Sequence, residues 1–173
     1  MTISPADLFE VCLVVPRLED AIEEFHRAFG YTFSPILEGV LPTRDENGED
    51  SRPPLRMAVS REFPPQLELL EAQPDTSIVP PAGTALHHLG FYVDDLPGAS
   101  ARLDALGIQF QCAGVANGDA PDGWVYHQMA DGTVIELVER ERIPLRKMLT
   151  EGRLPDSPWA RRVVPVGERR GGF

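Results

Sequence analysis

An α+β fold made of two βαβββ modules is predicted by three observations: an ungapped internal repeat, an amphipathic helix in each copy, and strands whose polar residues fall on one parity. The repeat lays Glu10-Val-Cys-Leu-Val-Val-Pro-Arg-Leu18 over His88-Leu-Gly-Phe-Tyr-Val-Asp-Asp-Leu96, an offset of 78 residues. The residues after each stretch correspond as well. Ala21, Ile22, Phe25 and Phe29 lead to Gly30-Tyr31-Thr32-Phe33 in the first copy, and Ala99, Leu103 and Leu106 lead to Gly107-Ile108-Gln109-Phe110 in the second. Each copy opens as strand, helix, glycine stop, strand.

In the first helix, Leu18, Ala21, Ile22, Phe25 and Phe29 fall on one stripe of a 3.6-residue period. Glu19 and Asp20 occupy its first turn, where the helix dipole favours anions. Gly30 and Gly107 can take the left-handed conformation that ends a helix. In the second helix Asp94 or Asp95 can cap the N-terminus, and Pro97 sits in the first turn, where its missing N–H costs nothing. Two further strands complete each copy, Leu55–Arg61 and Gln66–Ala72 in the first, Trp124–Met129 and Thr133–Glu139 in the second. Ala130-Asp131-Gly132 joins the last pair as a hairpin.

The first module is expected over residues 7–73 and the second over 86–140. Segment 74–85, with Pro74, Pro80, Pro81 and Gly83, reads as a linker. Segment 38–54, holding Asp45, Glu46, Glu49 and Asp50, reads as a polar loop. Of residues 141–173, Ile143–Glu151 is expected to form a short helix and the rest, with Pro155, Pro158 and Pro165, an extended arm.

Charge narrows the function classes. The 173 residues carry a net charge of −11, split into −15 over residues 1–140 and +4 over 141–173. A body of that sign repels phosphate, which argues against a nucleic-acid partner. No apolar run approaches the roughly 20 residues of a membrane span, and Met1–Asp7 lacks the pattern of a secretory signal, so the expected location is cytoplasmic. Cys12 and Cys112 have neither zinc-site nor disulfide spacing and are read as free thiols packed as small hydrophobes. Hydrophobic residues at 42% against 25% charged exclude a wholly disordered chain. No nucleophile elbow, paired-histidine zinc helix or phosphate-cradling glycine loop is present.

Parity places the chemistry. Residues two apart share one face of a strand, which groups Glu10, Cys12 and Val14; Gln66, Glu68 and Leu70; His88, Gly90 and Tyr92; and Val134, Glu136 and Val138. Each of these faces sets a polar group among apolar neighbours, a costly arrangement unless the polar groups meet a partner, a metal or a ligand. Three converging carboxylates would repel one another and raise at least one pKa, so a metal or a cationic ligand is expected among them, or Glu10 turns away. His87 has the opposite parity to His88 and is expected to point out of the cavity. By alternation either Tyr126 or His127 faces inward as a candidate acid, base or donor, and His26 reads as a rim residue beside the apolar stripe. Phe33, Met57, Tyr92, Phe110 and Trp124 suit either the core or an apolar pocket wall.

The repeated modules, with Leu86-His87-His88-Leu89-Gly90 opening the second and Asp131-Gly132-Thr133-Val134-Ile135-Glu136-Leu137-Val138 closing it, resemble the vicinal oxygen chelate superfamily of glyoxalases, methylmalonyl-CoA epimerases and bleomycin resistance proteins. The resemblance covers residues 8–140. It implies a U-shaped, partly closed mixed sheet around a central cavity, with a divalent metal held by one ligand from the first and one from the last strand of each module. By position these are His88 and Glu136, Glu68, and Glu10, where the family usually has histidine. Such a set suits manganese, iron, magnesium, cobalt or nickel better than a thiolate-type zinc site. Either all four residues bind the metal, or His88, Glu136 and Glu68 do and Glu10 is a general base. The resemblance further implies a homodimer and a small-molecule substrate. The expected activity is a metal-dependent epimerase, isomerase or lyase acting on a small carbonyl or hydroxy-carbonyl compound, with Glu10 or Glu136 as base and Tyr126 or His127 as a further catalytic group. The alternative is a metal-free protein of the same fold that sequesters a small molecule.

Overall fold

The computed structural model describes residues 3–62, 64–73, 85–116, 118, 120–153 and 160–164. The expected linker, save Ala85, and most of the expected arm lie outside them. The described elements are β1 (Leu8–Val15), α1 (Leu18–Phe29), β2 (Ile36–Val40), β3 (Thr43–Asp45), β4 (Asp50–Ser51), β5 (Pro54–Val59), β6 (Gln66–Glu71), β7 (Leu86–Val93), α2 (Leu96–Ala105), β8 (Gln109–Gly114), β9 (Trp124–Gln128), β10 (Val134–Glu139), α3 (Ile143–Thr150) and β11 (Ala160–Val164). No helix among them is long and apolar enough to cross a membrane.

Strand β1 organises the α+β fold because it is paired on both sides, parallel to β6 and antiparallel to β7. Strand β7 is in turn parallel to β10, so each repeat sets its first strand beside its last, and the two first strands meet at a seam within one chain. The resulting mixed sheet runs β11-β2-β5-β6-β1-β7-β10-β9-β8-β3-β4. Alternation divides its side chains between two faces. On the outer face α1 buries Leu18 and Ile22 against Val15, Leu67 and Leu69, and α2 buries Leu96, Ala99 and Leu103 against Val93, Val125 and Leu137. Asp95 caps α2 by accepting the Gly98 N–H at 3.0 Å, and Gly30, at φ 77°, ends α1. The inner face carries Cys12, Val14, Leu55, Met57 and Leu70, and α3 closes over that half with Leu145 and Leu149.

Three departures from the sequence reading have local causes. The second strand begins at Ile36 rather than near Tyr31, because Ser34 interrupts the ladder: its Oγ accepts the Val59 N–H at 3.1 Å, leaving Phe33 with an isolated bridge to Ser60. Segment 38–54 is not a free loop. It contains the end of β2 and a small hairpin of β3 and β4, whose turn is held by Asp45 Oδ1 accepting the Asn47 and Glu49 N–H groups at 2.9 and 2.8 Å. That hairpin reaches across to pair with β8 of the second repeat. The C-terminal segment, finally, returns to its own chain, with β11 antiparallel to β2 and Val164 buried beside Ile36.

One charged network ties the first repeat together on the outer face. Arg56 on β5 bonds Glu19 of α1 at 2.9 Å, Glu38 of β2 at 2.9 Å and Glu71 of β6, with its side chain only 10% exposed. Burial disfavours the charged guanidinium, but the three carboxylates outweigh it and raise its pKa. Arg56→Met is expected to cost about 2 kcal/mol, below the roughly 3–5 kcal/mol of a fully buried pair because the carboxylates keep some water. Urea unfolding measures it, and a loss under about 0.5 kcal/mol would show the network to be screened.

Candidate metal centre

Five strands bring the inward polar groups together at the seam. Glu10 lies opposite Gly90, Cys12 opposite both Glu68 and His88, and Glu136 between Gly90 and Tyr126. His88 Nε2 is 3.3 Å from Glu10 Oε1 and 3.4 Å from Glu136 Oε2. Donor atoms of Glu10, His88 and Glu136 all lie within 4.8 Å of one another. Ligands about 2.1 Å from one ion stand roughly 3.0 Å apart at octahedral angles and 3.4 Å apart at tetrahedral ones, a range that the two distances from His88 approach. Two carboxylates and one imidazole are a hard donor set that fits such an ion.

Glu68 is not part of this trio. Its Oε2 accepts a hydrogen bond from Arg146 Nη1 at 2.6 Å, while Nη2 of the same guanidinium pairs with Glu10 Oε2. Of the four residues expected as ligands, Glu10, His88 and Glu136 have donor atoms grouped together, and Glu68 pairs with a cation supplied by α3. Arg146 lies outside both repeats, so their comparison could not reveal it. Two signals were nonetheless present: three inward carboxylates required a cation, and Arg146 lies on the helix face that carries Leu145 and Leu149. Its stem passes Phe9, with the guanidinium carbon 5.4 Å from the ring centroid.

Burial governs the electrostatics. It raises the pKa of Glu10, with Arg146 opposing and Glu136 reinforcing the shift, and raises that of Glu68, to which Glu10 adds. Burial disfavours the imidazolium of His88, but Tyr126, Cys12 and Glu136 outweigh it and raise the pKa well above the ordinary histidine range. A cation bound at Nε2 would have to displace that proton. Burial pushes the Cys12 thiol up to about 12, keeping it neutral.

His87 departs from its expected position, and of the pair Tyr126 and His127 it is Tyr126 that lines the cavity. The β1–β7 register shifts between Cys12 and Leu13, setting His87 and His88 together against Cys12. Such a bulge re-aims a side chain, and His87 Nδ1 comes within 2.8 Å of His88 Nδ1, one donating and the other accepting. The expectation that His87 points away is corrected: its ring packs edge-on to Tyr126, 5.7 Å between centroids. His127, a candidate catalytic group, is instead held on the helix side, with Nε2 2.8 Å from Ser100 Oγ and Nδ1 3.0 Å from the Ile108 carbonyl. Tyr126 faces the cavity, and burial raises its phenol pKa well above the ordinary value. His26 Nδ1 lies 2.9 Å from the Tyr31 carbonyl oxygen, on the surface.

The cavity wall beyond Glu136 is aromatic. Phe9 stacks on Tyr92 at 3.9 Å, Trp124 lies 4.8 Å from Tyr126, and Val138 lines the same space. Met57, Tyr92 and Trp124 line this space, whereas Phe33 and Phe110 pack in the outer core.

Paired βαβββ repeats joined in one open mixed sheet, with a polar trio at their seam, define a two-module α+β class of fold. The chain belongs to the Glyoxalase/Bleomycin resistance protein/Dioxygenase superfamily, whose family model matches residues 9–126. Among solved structures it is similar to methylmalonyl-CoA epimerase from Mycobacterium tuberculosis, at 23% identity over 80% of this chain and 91% of that one, with a TM-score of 0.51. It is also similar to a hypothetical protein from Bacillus halodurans, at 16% identity over 77% of this chain and 93% of that one, again with a TM-score of 0.51. At these identities the likeness extends to the fold. No curated protein matches the chain in sequence.

Proposed function

We propose that this chain is a metal-dependent enzyme of its superfamily, an epimerase, isomerase or lyase that removes the proton alpha to the carbonyl of a small carbonyl or hydroxy-carbonyl compound. The observation that carries this reading is the convergence of Glu10, His88 and Glu136 beside a largely apolar cavity that Glu10 and Glu136 line. A divalent cation held by these three would supply Lewis-acid polarisation of adjacent substrate oxygens and offset the negative charge left by proton removal. Glu136 is the base, since its side chain is 13% exposed and lines the cavity, whereas Glu10 is 1% exposed and pinned by Arg146 and His88. Tyr126, kept neutral by burial, is a hydrogen-bond donor to substrate on the same wall. Phe9, Tyr92 and Trp124 keep water from the reacting carbon and accept an apolar substrate body.

The test is solvent deuterium exchange. Protein purified without chelator is incubated in D2O with a panel of 2-substituted carbonyl and hydroxy-carbonyl acids and thioesters, and loss of the alpha-proton signal is followed by NMR. Exchange that EDTA abolishes and Mn2+ or Co2+ restores is expected. Exchange indifferent to EDTA, in protein that carries no metal, would overturn the metal-dependent reading.

Arg146 favours a second reading, a metal-free protein that sequesters a small molecule, because its guanidinium already offsets two of the three carboxylates. Thermal melting separates the two, since a cation bound only to the folded state raises the midpoint. A midpoint unmoved by EDTA or added metal is the signature of the second reading.

A further inference from the structure

The resemblance implies up to four ligands, yet the third helix sets a cation against two of those residues, Glu10 and Glu68. From this we infer that Arg146 is a tethered competitor of the metal: it withholds Glu68 from coordination and leaves a three-residue site with more positions open to substrate. The inference rests on the metal-dependent reading above and concerns how that metal is held.

Glu68 lies on β6 directly across from Cys12, on the same face as Glu10, where an unencumbered carboxylate would turn toward the seam. It is 6% exposed, so its charge needs a partner within the protein. The guanidinium meets that need with one nitrogen on Glu68 and another on the far oxygen of Glu10. Glu10 keeps Oε1 toward His88, so one carboxylate bridges the trio and the arginine. Arg146 cannot swing freely, because Leu149, one turn along, is buried among Cys12, Leu37, Met57 and Leu70. The guanidinium therefore opposes the metal twice. Its charge repels the ion, and its hydrogen bond to Glu68 and ion pair with Glu10 occupy oxygens that would otherwise ligate it.

The test is a double-mutant cycle read by Co2+ titration of metal-free protein, following visible absorbance and calorimetry. Arg146→Gln is expected to tighten Co2+ binding at least tenfold and to change the absorption band as Glu68 joins the coordination shell. Glu68→Gln alone is expected to change the affinity less than threefold, whereas in the Arg146→Gln background it should weaken binding more than threefold and abolish the change in the absorption band. The Glu68→Gln arm stands even if Arg146→Gln does not fold, and a tenfold loss there would make Glu68 a native ligand and overturn the inference. Equal affinity in wild type and Arg146→Gln would also overturn it while leaving the metal-dependent reading intact. Binding by Arg146→Gln but not by wild type would uphold the competition and sink the metal-dependent reading of the native chain. Binding by neither would overturn both.

Discussion

Glu136→Gln is expected to lower the rate of substrate proton exchange about 10²–10⁴-fold while leaving the fold intact. The side chain sits at the junction of β10 with β7 and β9, one oxygen 3.4 Å from His88 Nε2 and the carboxylate open to the aromatic cavity. Glutamine keeps the shape and a coordinating carbonyl oxygen but cannot take a proton. A loss through chemistry therefore appears in exchange rate with metal content maintained, and a loss through the metal appears in both. Metal analysis of the same sample separates them. Wild-type exchange by a metal-replete Glu136→Gln protein would remove Glu136 as the base.

Gly90→Ala is expected to damage stability and metal binding together. A Cβ at Gly90 would stand 2.6 Å from Glu10 Cγ, 2.7 Å from Glu10 Oε1 and 3.0 Å from Phe9 Cε1. None of these can yield cheaply. Glu10 is 1% exposed and held by Arg146 and His88, and Phe9 is stacked on Tyr92. One methyl group would thus push the Glu10 oxygen away from His88, at an overpacking cost of about 1–3 kcal/mol. Urea unfolding and Co2+ titration are the measurements, with at least a tenfold weaker affinity expected. Unchanged affinity would show that the Glu10 oxygen facing His88 is not a ligand.

The sequence made these positions legible because alternation is rigid wherever one sheet face is buried. A one-residue slip of β1, β6, β7 or β10 would send that strand's polar residue to the wrong side together with its apolar neighbours. The same logic failed at His87, since a bulge suspends alternation and leaves no compositional mark when the inserted residue is not glycine. It also missed the β3–β4 hairpin, whose polar residues pair with a strand some 70 positions on, a contact that local periodicity does not encode. Arg146 escaped for a different reason. The repeat predicts what two modules share, and α3 follows only the second.

The antiparallel junction of β1 with β7 has a kinetic consequence. Glu10 and His88 are 78 residues apart, and neither repeat alone contains the trio. Helix and hairpin contacts within a repeat can form early, but closing so long a span costs chain entropy before the pairing offsets it. The trio is thus assembled only when the halves zip together, and its appearance reports completion of the whole fold rather than of either part. An ion bound there would act as a clasp across the slowest contact, retarding the opening of the halves more than it hastens their meeting.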